Sequence, residues 1–283
     1  MSEAVIQTDL AGLNLVHRGK VRDMYEIPGH DDKLLMVASD RISAYDVVMS
    51  DPIPGKGKIL TGLSLFWFDL LGDIVDNHLI SAEVDEFPEA CSAHRDVLSG
   101  RSMLVHKTAP LPVECIVRGY ISGSFWSAYK KDTNVCGFQL PDGMQESDKF
   151  PETLFTPSTK ADIGDHDENI SIERLKEIIG EARAEEIARI SVGLYQKAAD
   201  FAREKGIIIA DTKFEFGLFE DKIILIDEIL TPDSSRFWPQ SEYQPGGPQK
   251  SFDKQYFRDY LISINWNKQP PPPSLPGNVV HTT

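Results

Sequence analysis

Residues Gly206–Pro239 read GIIIADTKFEFGLFEDKIILIDEILTPDSSRFWP, and the fold of the chain turns on how this stretch is interpreted. Two β-rich runs, Ile207–Phe219 and Lys222–Leu230, flank a turn containing Glu220-Asp221, the pattern of a hairpin. Side chains alternate along a strand, so Asp211, Lys213 and Glu215 share one face while Phe214 and Phe216 share the other. The second run is apolar on both faces (Ile223, Ile224, Leu225, Ile226) and ends in Asp227-Glu228. A buried strand ending in acids needs a compensating cation or ligand. A two-residue turn would put Glu215 and Asp227 on opposite faces, whereas a three-residue loop would set them directly across from each other. We take the three-residue loop, because two carboxylates converging beside a lysine make an oxygen site for Mg²⁺ carrying phosphates. The alternative is a hairpin whose acids simply occupy its solvated end.

The 283 residues suit one large domain or two lobes sharing a cleft. A hydrophobic share of 41% provides an ample core. The formal charge of −15 argues against a nucleic-acid or anionic-membrane partner bound through bulk electrostatics. It leaves open a small anionic substrate, which responds to local lysines and arginines. Cys91, Cys115 and Cys136 form no CxxC pair, which fits a reducing, cytoplasmic setting better than a disulfide or zinc framework. The start MSEAVIQTDL lacks the basic and apolar regions of a signal peptide, and no apolar run approaches the roughly 20 residues of a membrane helix.

Leu13–Val16 and Asp23–Ile27 read as short strands joined by His17-Arg18-Gly19-Lys20-Val21-Arg22. A glycine flanked by cations lets backbone N–H groups approach phosphate, although a basic β-turn looks the same. Lys33–Ala38 is a strand entering Ser39-Asp40-Arg41-Ile42-Ser43-Ala44-Tyr45-Asp46, and Ile59–Val75 is a core helix with Phe66, Trp67 and Phe68. Ser102–His106 and Val113–Tyr120 are strands separated by a proline-broken connection, a candidate hinge with backbone groups open to a base. Arg118, and Ser124 as the cap of a helix over Phe125–Lys131, form a candidate phosphate-monoester site. Gly137–Asn169 reads as a long polar loop in which His166 and its neighbouring acids are a weak metal candidate. Ser171 caps a helix ending at Ile179, and Glu185–Lys205 is amphipathic, with Ile187, Ile190, Leu194, Ala198 and Phe201 on one stripe. Phe252–Ile264 is a last helix, and Pro270–Pro273 begins an extended, partly disordered tail.

Taken in order, His17–Asp23, Ser39–Asp46, Glu114–Tyr120, Asp211–Gly217 and Asp227-Glu228 through Asp233-Ser234-Ser235-Arg236 resemble the SAICAR synthetase family of de novo purine synthesis, over roughly Leu13 to Trp266. Thr156–Lys160 and the C-terminal segment are similar to its longer members. The resemblance implies a two-lobed α+β fold similar to kinases and ATP-grasp enzymes. Residues 1–111 would be the β-rich lobe and 112–283 the α+β lobe, with ATP between them. It implies that Gly19, Lys20, Val21 and Arg22 cover the ATP phosphates, and that His106, Lys107, Pro112 and Glu114 lie along the adenine side. Glu215 and Asp227 would bind Mg²⁺. Arg118, Ser124 and Arg236 would grip a ribotide 5′-phosphate, and Asp40 and Arg41 would serve the phosphate or amino-acid end. Lys213, with Asp211 beside it, would face the reacting carboxylate. The implied reaction joins carboxyaminoimidazole ribotide (CAIR) to L-aspartate at the expense of ATP, in a monomer or homodimer. A small-molecule kinase of related fold is the competing reading.

Overall fold

The computed structural model describes residues 4–160 and 168–283, so Asp165, His166 and Asp167 lie outside the described residues. Along the chain come β1 (Asn14–Arg18), β2 (Arg22–Glu26), β3 (Lys33–Ala38), β4 (Ser43–Ala44), β5 (Val47–Val48) and α1 (Lys56–Leu71). They are followed by β6 (Leu79–Ser81), α2 (Arg95–Leu98), β7 (Ser102–His106), β8 (Ala109–Pro110), β9 (Val113–Tyr120) and α3 (Gly123–Tyr129). Then come β10 (Asn134–Val135), β11 (Phe138–Gln139), β12 (Lys149–Thr159), α4 (Ile172–Ile179) and α5 (Glu181–Glu204). The chain finishes with β13 (Ile207–Phe219), β14 (Lys222–Ile226), β15 (Ser235–Pro239), α6 (Gln255–Ser263) and α7 (Gly277–Thr282). Helix and strand are mixed throughout, as an α+β fold requires.

Two compact units result: Met1–Phe66, His78–Thr108 and Lys254–Thr283 form the first, and Trp67–Asn77 with Ala109–Asp253 the second. A single cut after residue 111 therefore does not describe the division. The C-terminal segment returns to the first unit because Phe257, Leu261, Leu275 and Val279 bury with Ile42, Met49 and Ile53. The segment after Pro270 is thus anchored by apolar burial and is not a loose extended tail.

The first unit is built on the antiparallel sheet β1-β2-β3-β7-β6. Its core includes Tyr25, Leu35, Val37, Phe87, Leu98 and Leu104. The alternation of β2, in which Asp23 and Tyr25 turn inward, sends one carboxylate into that interior.

The second unit is organised by β13, thirteen residues long and central to a sheet of order β12-β9-β13-β14. Its early half pairs with β9 and β15, and its later half with β14 and β8. Helix α5 covers this sheet with Ile187, Ile190, Leu194 and Ala198 buried, and the Tyr195 hydroxyl donates to the Ile209 carbonyl at 2.6 Å.

Two local expectations change. Phe219 pairs with Lys222 and Glu215 with Ile226, so the hairpin closes through two residues, not three. Glu220 and Asp221 both have positive φ (50° and 62°), the geometry of a type I′ turn, without the glycine or asparagine that usually signals it. The second change lies within 137–169, read as loop: β12 is an eleven-residue strand antiparallel to β9. Its two prolines, Pro151 and Pro157, disguise it, and they are tolerated because β12 lies at the sheet edge.

Candidate active site

Two charge clusters lie along β13. The first surrounds Asp211, whose Cα register partners are Arg118 on β9 and Arg236 on β15. Its Oδ2 accepts from Arg118 Nη1 at 3.1 Å, from Arg236 Nη1 in a close ion pair, and from Ser122 Oγ at 3.4 Å. Arg118 is buried, donates Nε–H to Thr156 Oγ1 at 3.0 Å and lies 5.0 Å from the centre of the Phe125 ring. Burial disfavours its charge and lowers its pKa, with the nearby Asp211 carboxylate opposing that shift. Arg236 is pushed the other way, chiefly by the charge of Asp211. Gly123 makes room for this arrangement: it sits at φ +59°, and a Cβ there would fall 2.3 Å from an Arg236 guanidinium nitrogen. Two guanidiniums thus converge on one carboxylate, with the charge of Asp253 also acting on Arg236, and paired guanidiniums of this kind suit a phosphate monoester.

The second cluster surrounds Lys213. Its Nζ donates to Glu114 Oε1 and Glu215 Oε1, both at 2.6 Å, and Glu215 Oε2 accepts from Lys160 Nζ at 2.6 Å. Burial lowers the Lys213 pKa, but the charges of Glu215, Glu114 and Asp227 outweigh it and raise the pKa well above the ordinary lysine value. Lys213 is therefore a fixed cation and not a general base. Burial likewise pushes Glu215 up, yet Lys213 and Lys160 prevail and hold it down at about 2. Three carboxylates against two ammoniums leave this cluster one negative charge in excess.

Asp227 enters this field by an unexpected route. The two-residue turn denies it the position across from Glu215, which Ile226 takes. However, β14 ends at Ile226 and Asp227 turns to φ +64°, so strand alternation no longer governs its side chain. Its charge acts on Lys213 all the same.

The sequence reading missed Lys160, Thr156, Ser158 and Ser122. Once β12 is known to be a strand, Thr156, Ser158 and Lys160 fall on one face by alternation. They reach Arg118, Glu114 (from Ser158 Oγ at 3.3 Å) and Glu215 in turn. Ser122, not Ser124, is the residue preceding α3; Ser124 is its second residue and is exposed.

The remaining predicted residues lie apart from these clusters along the chain. Pro112 accepts at its carbonyl from Lys160 N at 3.3 Å, and the preceding β8 pairs with Gly217 and Leu218, so part of the proline-broken connection is itself sheet. In the first unit, His106 N donates to the His78 carbonyl at 2.8 Å, and Lys107 Nζ pairs with Glu26 at 2.8 Å on the surface. Gly19, Lys20, Val21 and Arg22 form the β1–β2 turn, with Lys20 paired to Asp46. Asp40 and Arg41 are buried and engaged internally. Asp40 receives Arg101 through both oxygens at 3.0 and 3.2 Å, together with Gly57 N at 2.9 Å. Arg41 donates to Asp23 Oδ1 at 2.7 Å and to the carbonyls of Ile6, Gly19 and Lys20. Asp40 is thus matched by Arg101, and Asp23 is shared by Arg41 and Arg18.

No three Asp, Glu, His or Cys side chains among the described residues converge as an all-protein metal cage. Mg²⁺ characteristically takes only one or two carboxylates and completes its shell with phosphate and water. Both Glu215 oxygens are engaged here, Oε1 by Lys213 and Oε2 by Lys160, so Glu215 could offer an oxygen to Mg²⁺ only with an ammonium displaced. Among the described residues, no helix is long and apolar enough to cross a membrane.

The fold is of the α+β class, with two clusters of buried charge along its central strand. A family model described as SAICAR synthetase matches residues 15–273, and the chain belongs to that family. It is 70% identical to the phosphoribosylaminoimidazole-succinocarboxamide synthase of Desulfotalea psychrophila, across all of this chain and 95% of that one. Its counterpart from Desulfosudis oleivorans is 59% identical, over 100% and 96% of the two chains. Among solved structures, the SAICAR synthase of Saccharomyces cerevisiae complexed with SAICAR superposes with a TM-score of 0.89 at 48% identity, covering 99% of this chain and 94% of that one. A SAICAR synthetase in complex with ADP gives 0.67 at 28% identity, covering 92% and 99%.

Proposed function

We propose that the chain is an ATP-dependent ligase that joins the carboxylate of CAIR to the amine of L-aspartate, giving SAICAR, ADP and phosphate in cytoplasmic purine synthesis. The observation that carries this reading is the separation of charge along one strand: a cationic cluster at Asp211 and an anionic one two residues on at Lys213. A phosphorylated substrate suits the first, and a metal-borne polyphosphate the second. Relatives of 59–70% identity named for this activity support the same assignment, and they disfavour a small-molecule kinase.

A carboxylate resists amide formation until one of its oxygens becomes a leaving group. In the proposed reaction a CAIR carboxylate oxygen attacks the γ-phosphorus of ATP, and ADP departs. The aspartate amine then adds to the acyl carbon, loses a proton, and phosphate leaves with its C–O bond. Arg118 and Arg236, with Ser124 nearby in the chain, hold the ribotide 5′-phosphate. Asp211 acts through them, fixing both forks in place. Lys213 supplies a permanent positive charge where phosphoryl oxygens gain negative charge, an effect that is strong where water is excluded. Glu215 and Asp227 would hold Mg²⁺, which when bound would neutralise the nucleotide phosphates. By the same reading, the turn Gly19–Arg22 and the segment His106–Glu114 serve nucleotide binding.

The test is ADP release by the purified chain with CAIR, aspartate, ATP and Mg²⁺, omitting each in turn. The ligase requires both organic substrates for turnover. ADP release that persists without aspartate would favour the kinase.

A further inference from the structure

The side chain of Arg41 is buried and spends its donors on Asp23, which it shares with Arg18, and on carbonyls of a turn that the proposed function assigns to phosphate. Arg41 Nη2 donates to Gly19 O at 2.9 Å and Arg41 Nε to Lys20 O at 3.1 Å. Val21 O accepts twice from Ser39, from the backbone N–H at 2.9 Å and from Oγ at 2.7 Å. Arg22 O accepts from Gly19 N at 2.7 Å. All four carbonyl oxygens between Gly19 and Arg22 are thus bound by protein donors.

This matters for an anion, because a backbone turn binds phosphate only if its N–H dipoles are presented without competing carbonyl oxygens. A free turn samples both orientations and must be ordered when the ligand arrives. Here the ordering is built in. Arg41 is itself fixed by Asp23, whose other oxygen is held by Thr8 N at 3.2 Å and Thr8 Oγ1 at 2.7 Å. Burial pushes the Asp23 pKa up, but bonds from Arg41 and Thr8 more than offset it, so the carboxylate stays charged and keeps its grip. Arg41 N also donates to Ser39 Oγ at 3.3 Å, joining the two donors into one unit. A guanidinium suits this task and an ammonium does not: only a planar fork reaches two successive carbonyls and a carboxylate together.

We propose that Arg41, with Ser39, is a positioning element: the two withdraw the carbonyls of Gly19, Lys20 and Val21 and so preset that turn to accept nucleotide phosphate, without touching the nucleotide. This rests on the reading of the turn as the phosphate cover, and the experiment separates the two ideas.

Binding of ADP in the presence of Mg²⁺ is measured by calorimetry on the full chain. Amide hydrogen exchange at residues 19–22 is followed in parallel. Lys20→Met, which leaves the carbonyl contacts intact, tests the turn itself, and weaker binding supports its role. Arg41→Lys keeps the charge beside Asp23 but loses the fork. It is expected to raise Kd by about tenfold or more, with faster exchange confined to residues 19–22 and kcat at saturating ATP within about threefold of the parent. Ser39→Ala removes one of two donors to Val21 O and should raise Kd roughly two- to fivefold, the scale of one neutral hydrogen bond. If Arg41→Lys fails to fold, Ser39→Ala decides the matter. A folded Arg41→Lys with Kd unchanged, or an unchanged Kd in Ser39→Ala when it must decide, overturns the positioning role even where Lys20→Met binds weakly. Unchanged binding in Lys20→Met overturns the phosphate reading and this inference with it.

Discussion

Replacing Asp211 by Asn removes the carboxylate that Arg118 and Arg236 share. The change keeps shape and a carbonyl acceptor, so what is lost is charge. In the parent, one carboxylate oxygen accepts from both guanidiniums, and Arg118 has almost no contact with water. Two nitrogens sharing one oxygen stand at most ~6 Å apart, where two unit charges repel by about 3 kcal/mol at an effective dielectric constant of 20. That agrees with the 3–5 kcal/mol typical of breaking a buried ion pair (about 3 is the safer figure here, since Asn still accepts). At roughly 2–4 °C per kcal/mol, Asp211→Asn should melt about 6–12 °C below the parent. The diagnostic readout is rescue by anion. The mutant cluster carries one more positive charge than the parent, so inorganic phosphate should bind it more tightly and raise its Tm more. At ten times its Kd, phosphate contributes about 1.4 kcal/mol. Differential scanning fluorimetry across a phosphate series measures both effects. A mutant that melts with the parent, or that gains no more from phosphate than the parent does, would refute the reasoning.

Three further outcomes follow from the same contacts. Lys213→Met leaves Glu114 and Glu215 without their shared cation, so it should lose about 3 kcal/mol of stability as well as roughly 10²–10³-fold in kcat. Adding Glu114→Gln should restore part of the Tm and none of the turnover; recovery of turnover would remove Lys213 from the chemistry. Because Glu215 is held at about 2 against an ordinary 4.5, its ion pairs stabilise the fold fully above pH 4.5, and that share is lost as pH falls toward 2. Thermal melts on acidification should therefore fall less steeply for Glu215→Gln than for the parent, and equal slopes would contradict the assignment. Gly123→Ala imposes a side chain at φ +59° and displaces the Arg236 guanidinium. It should cost about 1–2 kcal/mol and raise the KM for CAIR while sparing that for ATP, and steady-state kinetics with each substrate varied checks this.

The chain by itself determined a good deal. Its ordered motifs pointed to the family, period-two alternation placed Lys213 and Glu215 on one face, and the apolar stripe of α5 announced a packed helix. Those signals are local: they depend on residues two to four positions apart, which the backbone geometry of strand or helix brings together. What touches what across strands was decided only by tertiary structure. Arg118 and Asp211 are 93 positions apart, and their pairing depends on the register of β9 against β13. That register turned Asp211 from a companion of Lys213 into the anchor of two arginines. A one-residue difference in the β13–β14 turn moved Ile226 opposite Glu215, and although Asp221 is a residue that tolerates positive φ, Glu220 gave no signal of it. Edge position made a strand of the proline-bearing β12 and delivered Lys160 to Glu215. Burial decided for Arg41. A charge in a polar segment reads the same whether it faces solvent or closes on a buried aspartate, and only the packing of Asp23 and Thr8 beneath it selects the second.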